Sequence, residues 1–344
     1  MKNLNIAYLI ILSTLFFNVD LRAQDPVFSQ YYNAPVYLNP ALVGDEDAMM
    51  VNLNYRSQWQ SLHEPYSTAQ ASFIYPFYRD INKGAAGQLG GLGLSVFNDV
   101  AGTSRELRTT GVSASFAYNL PLNMQNIISF GLQAQVINTR IDPEGLEWGQ
   151  QYQPGIGHNP GELPVEYQNF DNSTVLSISP GAFWRYYNDN SSGFIHSIYS
   201  GIAVNHLNHP DIATLNNVED RLPLLYKYHG GIVFAVSQKV NLSANVLTLF
   251  QDTRNQSNVG AFVSYLLTDQ SQGLFSNSIV RIGGWHRWND SFILSTEFVT
   301  NKFQLGFSYD WNVTNLNRFQ SGVGAYELSL GFRFNRVAPP KVRY

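Results

Sequence analysis

The sequence contains no cysteine, and charged residues make up only 13% of its 344 residues. Without cysteine, an exported chain can have neither a disulfide framework nor the lipidated cysteine of a surface lipoprotein. Soluble domains typically carry about 25% charged residues, so the deficit argues against an ordinary soluble enzyme. Stability must come from burial and backbone pairing, and the 44% hydrophobic residues are enough to build a large core or to face lipid.

Long hydrophobic runs are absent beyond the N-terminus. The apolar run at residues 6–17 follows the basic Lys2 and is too short to cross a bilayer as a helix. This pattern is typical of a signal peptide, and we predict that residues 1–23 are removed by cleavage after Ala23. No later stretch of 18 apolar residues occurs in the sequence, which excludes transmembrane helices.

Sequence signatures of catalysis and cofactor binding are also missing. There is no nucleophile-elbow serine, no glycine loop that could cradle phosphate and no glycosidase-like carboxylate pair. His206 and His209 lie near Asp211 at a metal-like spacing, but their Asn-rich surroundings indicate a solvated loop. We therefore predict no enzyme activity, no metal and no cofactor. The formal net charge of −4 argues against nucleic acid as a partner.

What the sequence does contain is a long series of alternating segments. In residues 128–136 apolar side chains alternate with Ser, Gly and Gln, and residues 303–311 and 326–334 repeat the pattern with charges on the polar face. About fourteen such segments lie between residues 49 and 335, each of roughly the length of a tilted strand that crosses a bilayer. The pattern predicts an all-β fold, a transmembrane antiparallel β-barrel integral to the outer membrane of a Gram-negative bacterium. A soluble β-sandwich has the same period of two and is the alternative.

The lengths of the connections give a second indication. Outer-membrane barrels place long loops outside and short turns on the periplasmic side. If the first strand runs outward, the long connections 141–172 and 207–225 fall outside, and the short turns 238–239 and 300–301 fall on the periplasmic side. No linker-like change of composition divides residues 49–335, so we predict a single barrel domain there.

Six blocks of sequence follow one another in a characteristic order. They are QDPVFSQYYNAPVYLNPALVG at 24–44, NYRSQWQ at 54–60, LEWGQQY at 146–152, LPLLYKYHGG at 222–231, GFSYDWNVTNL at 306–316 and YELSLGFRF at 326–334. In order and spacing these blocks resemble the PorP/SprF proteins of the type IX secretion and gliding motility systems. The resemblance extends over nearly all of the chain after residue 23.

The resemblance implies an outer-membrane barrel that is neither an enzyme nor a channel for small solutes. Some members of the family contact periplasmic components of the type IX apparatus, and others hold the C-terminal domain of a secreted adhesin at the cell surface. We therefore expect a barrel that docks and anchors a secreted surface protein. The alternatives are an outer-membrane transporter for hydrophobic or small solutes with an N-terminal hatch, and an outer-membrane hydrolase, for which no nucleophile and base can be assigned.

Residues 24–48 are predicted to form a periplasmic or lumen-plug segment ahead of the barrel. Three prolines and several aromatic residues exclude a regular strand or a long helix there. The segment either enters the lumen as a plug and contact surface or only caps the periplasmic mouth. The residues predicted for the plug and partner role are Asp25, Pro26, Phe28, Gln30, Tyr31, Tyr32, Asn39 and Pro40.

Charged residues on the inward face of the strands are predicted to pair, because burying a charge without a partner is costly. Closure of the barrel would bring the first and last strands together, which makes Arg56 and Glu327 a candidate pair. The network either only fills and stabilises the lumen or also binds a threaded peptide. Its predicted members are Arg56, Arg185, Lys227, Glu297, Glu327 and Arg333.

The loop at 141–172 combines aromatic residues with carboxylates, a composition that suits protein recognition, although packing of a solvated loop is the alternative. Its candidate recognition residues are Trp148, Tyr152 and Tyr167. Residues 336–344 contain two prolines and three basic residues and are predicted to form an extended periplasmic tail. The expected partners are a secreted surface protein or adhesin C-terminal domain, periplasmic components of type IX secretion, and outer-membrane lipid.

Overall fold

The structure is a computed structural model that describes most of the chain between Val27 and Phe334. The predicted signal peptide at 1–23, Asp25, Pro26 and the predicted tail at 336–344 lie outside the described residues. The described residues are 27–60, 65–79, 87–102, 105–143, 146–155, 157–163, 167, 170–188, 193–214, 219–268, 273, 275–313 and 323–334.

Fourteen strands of 9 to 16 residues dominate the described part of the chain. They are rich in the β-branched, aromatic and alternating residues that favour a pleated surface with two different faces. The strands are β1 (Met49–Gln58), β2 (Tyr66–Tyr78), β3 (Gln88–Ala101), β4 (Leu107–Pro121), β5 (Asn126–Ile141), β6 (Ser173–Tyr187), β7 (Ile195–Asn205), β8 (Leu225–Ala235), β9 (Val240–Gln251), β10 (Arg254–Leu266), β11 (Ile279–Arg287), β12 (Ser291–Val299), β13 (Phe303–Asn312) and β14 (Val323–Phe334).

The fourteen strands form one closed barrel. Each strand pairs antiparallel with its neighbour in sequence, and β14 pairs with β1 to complete the ring. In that closing pair Arg56 lies directly opposite Glu327. The barrel prediction and the strand number are therefore confirmed. The β-sandwich alternative is wrong, because a sandwich would leave two open sheets with free edges.

The two faces of the wall differ as the alternation predicts. On β5, Phe130 and Leu132 are 54% and 55% exposed, whereas Ser129 and Gln133 are 2% and 5% exposed. Large apolar side chains are likewise exposed on alternate positions of the other strands, for example Leu94 on β3 and Leu305 on β13. The outer face is thus an apolar band suited to lipid, and the inner face is polar and crowded.

The two ends of the barrel carry different connections. One end, called the loop end, has the longest connections, 142–172 and 206–224. The other, called the termini end, has the short turns 236–239 and 300–302 and both ends of the wall. This distribution agrees with the predicted parity. Three connections depart from it: 267–278 is long and lies at the termini end, and 252–253 and 288–290 are short and lie at the loop end.

Residues ahead of β1 form short helical turns. A 3₁₀ turn at Tyr31–Asn33 is followed by one α-helical turn, α1 (Pro35–Leu38), and a 3₁₀ helix at Pro40–Gly44. Pro35 and Pro40 each begin a helix, where the missing N–H has no partner to lose. The predicted absence of a regular strand or long helix here is in keeping with this arrangement. No helix among the described residues is long and apolar enough to span a membrane.

Candidate functional site

Residues 27–48, named the lumen segment, lie on the inner side of the barrel wall. Groups of all fourteen strands contact the segment, through hydrogen bonds on most strands and through apolar or ring contacts on β9 and β10. A segment that touches the whole circumference occupies the lumen rather than one side of it. The described part of 24–48 therefore lies within the ring of strands, and its role as a plug or as a cap stays a prediction.

The lumen segment runs from the loop end towards the termini end. Val27 packs against Leu225 and Leu249, which lie where β8 begins and β9 ends at the loop end. At the other extremity, Asp45 forms an ion pair with Arg185, close to the termini-end limit of β6. The chain then turns into β1, which runs back towards the loop end.

Six of the eight predicted plug and partner residues are described, and they face the wall. Phe28, Gln30, Tyr31 and Asn39 are at most 4% exposed. Their contacts are with inward-facing side chains, so they cannot form an accessible surface while the segment stays in the lumen. Contact of these residues with a partner stays a prediction. The remaining two described residues are Pro40, which is buried, and Tyr32, which is half-buried.

Four charged side chains surround the start of the segment and form the charged cluster: Arg56, Arg287, Asp310 and Glu327. Arg56 lies 2.8 Å from the Asp310 carboxylate and 3.3 Å from that of Glu327, and Arg287 lies 3.2 Å from Asp310. All four are at most 4% exposed. Two cations and two anions balance, which a buried cluster requires.

Ser29 lies at the centre of the charged cluster. Its backbone N–H donates to Glu327 at 2.7 Å and its hydroxyl donates to Asp310 at 2.7 Å, while Arg287 donates to the same hydroxyl oxygen at 2.6 Å. The backbone N–H of Gln30 donates to the other Glu327 oxygen at 3.0 Å. The predicted pair of Arg56 and Glu327 is therefore present in the structure, and it holds the lumen segment as well as closing the barrel.

Asn33 is a second point of attachment. Its amide N–H groups donate to Glu297 at 2.6 Å and to Ser329 at 2.9 Å, and Gln304 donates to its carbonyl oxygen. Glu297 also forms an ion pair of 3.1 Å with Arg281. One asparagine thus joins β12, β13 and β14 to the segment.

Tyr31 and Tyr32 pack their rings against inward-facing side chains of strands β8 to β12. Tyr32 stacks on Trp285 with centroids 5.4 Å apart, meets the edge of Phe262 at 5.0 Å and shares a 2.9 Å hydrogen bond with Ser295. Tyr31 belongs to an apolar cluster with residues of β8 and β9. Aromatic packing therefore attaches the segment to the wall formed by β8 to β12.

The middle of the segment is tied to β6, β7 and β8. The Asn39 amide lies 3.0 Å from the Ala182 carbonyl, 3.2 Å from that of Ile202 and 3.1 Å from the His229 ring. Lys227 donates to the Tyr37 carbonyl at 2.8 Å, and its ammonium lies 3.9 Å from the centre of the Tyr37 ring. Lys227 is 1% exposed, so these contacts replace the water that its charge would otherwise bind.

Two glycines of the wall make room for the segment. A Cβ at Gly131 of β5 would overlap the backbone of Ala41, and a Cβ at Gly91 of β3 would overlap the carbonyl oxygen of Val43. Backbone-to-backbone approach of this kind is possible only where the wall has no side chain. The small inward-facing residues therefore mark where the segment touches the wall.

At the termini end, backbone carbonyls of the segment accept hydrogen bonds from side chains of the wall. Asn119 of β4 donates to the Gly44 carbonyl at 2.7 Å, and Gln88 of β3 donates to that of Glu46. Arg333 lies nearby on β14 and donates to Gln304 at 2.9 Å. The six predicted network residues are thus spread around the lumen: the structure brings Arg56 and Glu327 together, and gives the other four separate partners.

A cavity, named the loop-end cavity, lies between the lumen segment and the wall of β2 to β5. Val36 and Tyr37 of the segment form its floor, at the level where Gln133 donates to the Val36 carbonyl at 3.0 Å. Ile212 and Leu222, from the connection 206–224, line its opposite end. The cavity is therefore bounded by the segment on the termini side and by residues of the connection 206–224 on the loop side.

The external residues predicted for recognition lie in the connection 142–172. Tyr152 is 56% exposed and donates to Glu147 at 2.7 Å, which raises the pKa of the phenol through that hydrogen bond. Trp148 is half-buried, with its ring 6.1 Å from that of Phe170. Tyr167 is half-buried, and no hydrogen bond or ring contact joins it to the other two among the described residues. Recognition by these three residues stays a prediction.

Of the two histidines near Asp211, His209 is exposed, as the predicted solvated loop requires, whereas His206 is not. His206 is 1% exposed and shares a 2.8 Å hydrogen bond with Ser177 of β6, so it packs against the wall. Asp211 accepts backbone N–H groups from Ala213 and Asp220, which lower its pKa below the ordinary value. No group of residues in the described part of the chain has the arrangement of a metal site.

Sequence reasoning missed four residues that hold the segment: Ser29, Asn33, Arg287 and Asp310. Asp310 could have been recognised from the sequence, because the alternation of β13 places it on the inward face of the strand. Ser29 and Asn33 are small polar residues without a pattern of their own. Their partners on β11 to β14 lie more than 250 positions away in the chain.

The chain was compared with known proteins. The model of a family described as type IX secretion system membrane protein PorP/SprF matches residues 21–332. No curated protein was found to match. Among solved structures, the chain is similar to a deltaS2 mutant of the TodX monoaromatic hydrocarbon channel, with a TM-score of 0.50 and 10% identity over 88% of this chain and 94% of that one.

Two further solved structures are similar at lower scores. The CymD monoaromatic hydrocarbon channel gives a TM-score of 0.48 and 12% identity over 88% of this chain and 93% of that one. The Pseudomonas putida toluene transporter TodX gives 0.43 and 8% identity over 87% and 91%. At such identities the likeness concerns the fold alone, which is that of an outer-membrane barrel.

Proposed function

Because the chain belongs to the PorP/SprF family of type IX secretion system membrane proteins, we propose that it docks a secreted surface protein at the loop end of its barrel. In this function the barrel is an anchor without catalytic chemistry. The partner is a secreted protein, of the adhesin type, whose C-terminal domain is held at the outer face of the membrane.

The observation that carries the proposal is the occupied lumen. A solute channel needs a path from one end to the other, whereas here the lumen segment contacts all fourteen strands and forms the floor of the loop-end cavity. The attachments include buried charges at one extremity and a paired Asp45 and Arg185 at the other. A cavity with a floor suits retention of a bound group better than its passage.

Contact with periplasmic components of the secretion system is proposed for the termini end. In this proposal the termini end faces the periplasm, because outer-membrane barrels generally turn their short connections to that side. Its turns expose apolar side chains, with Leu122 56%, Met124 69% and Val236 57% exposed. Exposed apolar residues at a membrane-free edge are typical of interaction surfaces. The lumen segment itself is buried and contributes little to this surface.

The rival function is transport of hydrophobic or small solutes, with the lumen segment as a hatch. The described similarity to hydrocarbon channels concerns the fold, so it does not favour this function over docking. The two functions differ in a measurable quantity. A transporter gives solute flux through purified protein, and a docking barrel gives a stable complex.

The test uses the native strain. Deleting the gene should release one or more secreted proteins from the cell surface into the medium, and the tagged full-length barrel purified from native outer membranes should carry such a protein with it. Planar-bilayer recordings of the same preparation should show no steady conductance, with a general porin as the positive control. Unchanged surface proteins combined with steady conductance would instead support transport and reject docking.

A further inference from the structure

The loop-end cavity has a wall of polar groups without protein partners. Ser113, Gln135 and Thr139 make no side-chain hydrogen bond to another residue in the described part of the chain, and the carbonyl oxygen of Gln70 is buried without a partner. Buried polar groups are nearly always hydrogen-bonded in folded proteins. The hydroxyl and amide groups of Ser113, Gln135 and Thr139 are therefore available at the cavity surface to a ligand that carries both donors and acceptors.

The same cavity has an apolar side. Phe97 and Leu107 lie at the β3 and β4 positions nearest the loop end, and Ile137, Ile212 and Leu222 form a hydrophobic cluster beside them. Ligand sites typically combine an apolar lining with a few placed polar groups. The loop-end cavity has both kinds of lining.

The charge of the lining narrows the class of ligand. Asp99 is the charged side chain among the lining residues, and it already accepts a hydrogen bond from Thr68. No lysine or arginine lines the cavity. A phosphate or carboxylate ligand would therefore meet a like charge and no cation, while neutral amides and apolar groups would meet complementary partners.

The spacing of the polar groups fits an extended chain. Gln133, Gln135, Ile137 and Thr139 follow one another at alternate positions of β5, so their side chains repeat every two residues along the cavity. Two residues of an extended strand span about 6.6 Å, and a peptide in the same conformation repeats with the same period. Side chains of such a peptide can register with the wall over several residues.

We propose that the loop-end cavity binds an extended stretch of polypeptide that lacks Asp and Glu and that belongs to the docked partner. The proposal rests on the proposed function, because the cavity lies in the loop-end half of the lumen, the side where a secreted protein would arrive. A neutral sugar, for example from lipopolysaccharide, also carries hydroxyl donors and acceptors. It lacks the apolar side chains that Phe97, Ile137 and Leu222 would cover, so polypeptide is favoured.

The absence of cysteine allows a direct test in the full-length protein. A Thr109→Cys variant places one thiol in the cavity lining, and Val112→Cys places one on the lipid face of the same strand, where Val112 is 58% exposed. Each variant is labelled in intact native cells with benzophenone-4-maleimide and irradiated, and the linked residues are mapped by mass spectrometry. We expect Thr109→Cys to link one contiguous acid-free segment of a secreted surface protein, and Val112→Cys to link none.

Two further changes in the Thr109→Cys protein show whether the cavity itself is responsible. Ser113→Phe fills the cavity, and Gln135→Glu adds a second negative charge to it. Each should reduce the cross-link at least tenfold. Heat-modifiable gel mobility of both proteins shows that the barrel has folded. If the Ser113→Phe protein does not fold, the cross-link yield of Gln135→Glu alone tests the proposal, because glutamate has nearly the same size as glutamine.

The outcomes separate this proposal from the docking function. If a surface protein co-purifies with the barrel but Thr109→Cys links only sugar, only lipid or nothing, the docking function stands and the peptide site is rejected. A cross-link that persists undiminished in both altered cavities also rejects the site. If neither co-purification nor a polypeptide cross-link occurs, both proposals fail.

Discussion

Replacing Glu327 with glutamine tests whether the charged cluster holds the lumen segment. Glu327 is 0% exposed, and its carboxylate accepts the backbone N–H groups of Ser29 and Gln30 and pairs with Arg56. Glutamine keeps the size of the side chain and removes the charge. Arg56 would then have only the carboxylate of Asp310 within the cluster, which it shares with Arg287, while Arg287 also pairs with Asp290 at 3.0 Å.

The expected loss follows from the burial of the cluster. Removing one partner of a buried ion pair costs about 3–5 kcal/mol, because the remaining charge stays buried without compensation. Glutamine offers one carbonyl oxygen to two backbone donors, and its own N–H group faces Arg56. We therefore expect Glu327→Gln to lower the free energy of unfolding by about 3–5 kcal/mol, a factor of roughly 10²–10⁴ in the folding equilibrium.

The measurement is urea unfolding of the protein in lipid vesicles, followed by tryptophan fluorescence and by gel mobility. Glu162→Gln is the matched control, because Glu162 is exposed in the connection 142–172, and it should change the free energy by less than about 0.5 kcal/mol. A double change, Arg56→Met with Glu327→Leu, leaves Arg287 paired with Asp310 and should recover much of the loss. A Glu327→Gln protein within about 0.5 kcal/mol of the parent would refute the reasoning.

Three other predictions concern the wall and one loop. Gly131→Leu should displace the lumen segment and raise maleimide labelling of a Val36→Cys protein severalfold, whereas Ala134→Leu on the exposed face of the same strand should not. Leu132→Lys should cost about 2–4 kcal/mol in the urea titration if that face contacts lipid, and no change would contradict a lipid contact. The lowered pKa of Asp211 means that its stabilising effect is full above the ordinary Asp pKa of about 3.9 and is lost as pH falls through the lowered value. The protection of its loop against amide hydrogen exchange, measured relative to the intrinsic exchange rate at each pH, should therefore fall on acidification, and should already be low at neutral pH in Asp211→Asn.

The barrel itself could be predicted from the sequence because it is a repeated local pattern. Alternation such as that in β5 assigns each side chain to one face of the wall, and closure of an antiparallel ring makes the first and last strands neighbours. Those two rules are enough to place Arg56 opposite Glu327. Both depend on periodicity and connection length, which a single sequence records.

The attachment of the lumen segment could not be predicted in the same way. Ser29 and Asn33 carry no periodic signal, and their roles arise only when strands from the far end of the chain surround them. The direction in which the segment runs through the barrel could not be predicted either. Prolines exclude a strand, but they do not determine at which end of the lumen Val27 lies. Burial of His206 has the same origin, since Ser177 on a neighbouring strand provides its partner.

The long separation between the segment and its partners constrains the order of assembly. Ser29 is among the first described residues of the chain, yet it bonds to β11, β13 and β14, which are synthesised last. A ring already closed between β1 and β14 would admit the aromatic segment only by threading it through one end. The wall must therefore wrap around its own N-terminal residues, and joining the first and last strands is the final step. The insertion machinery would then have to keep that seam open until the interior is in place.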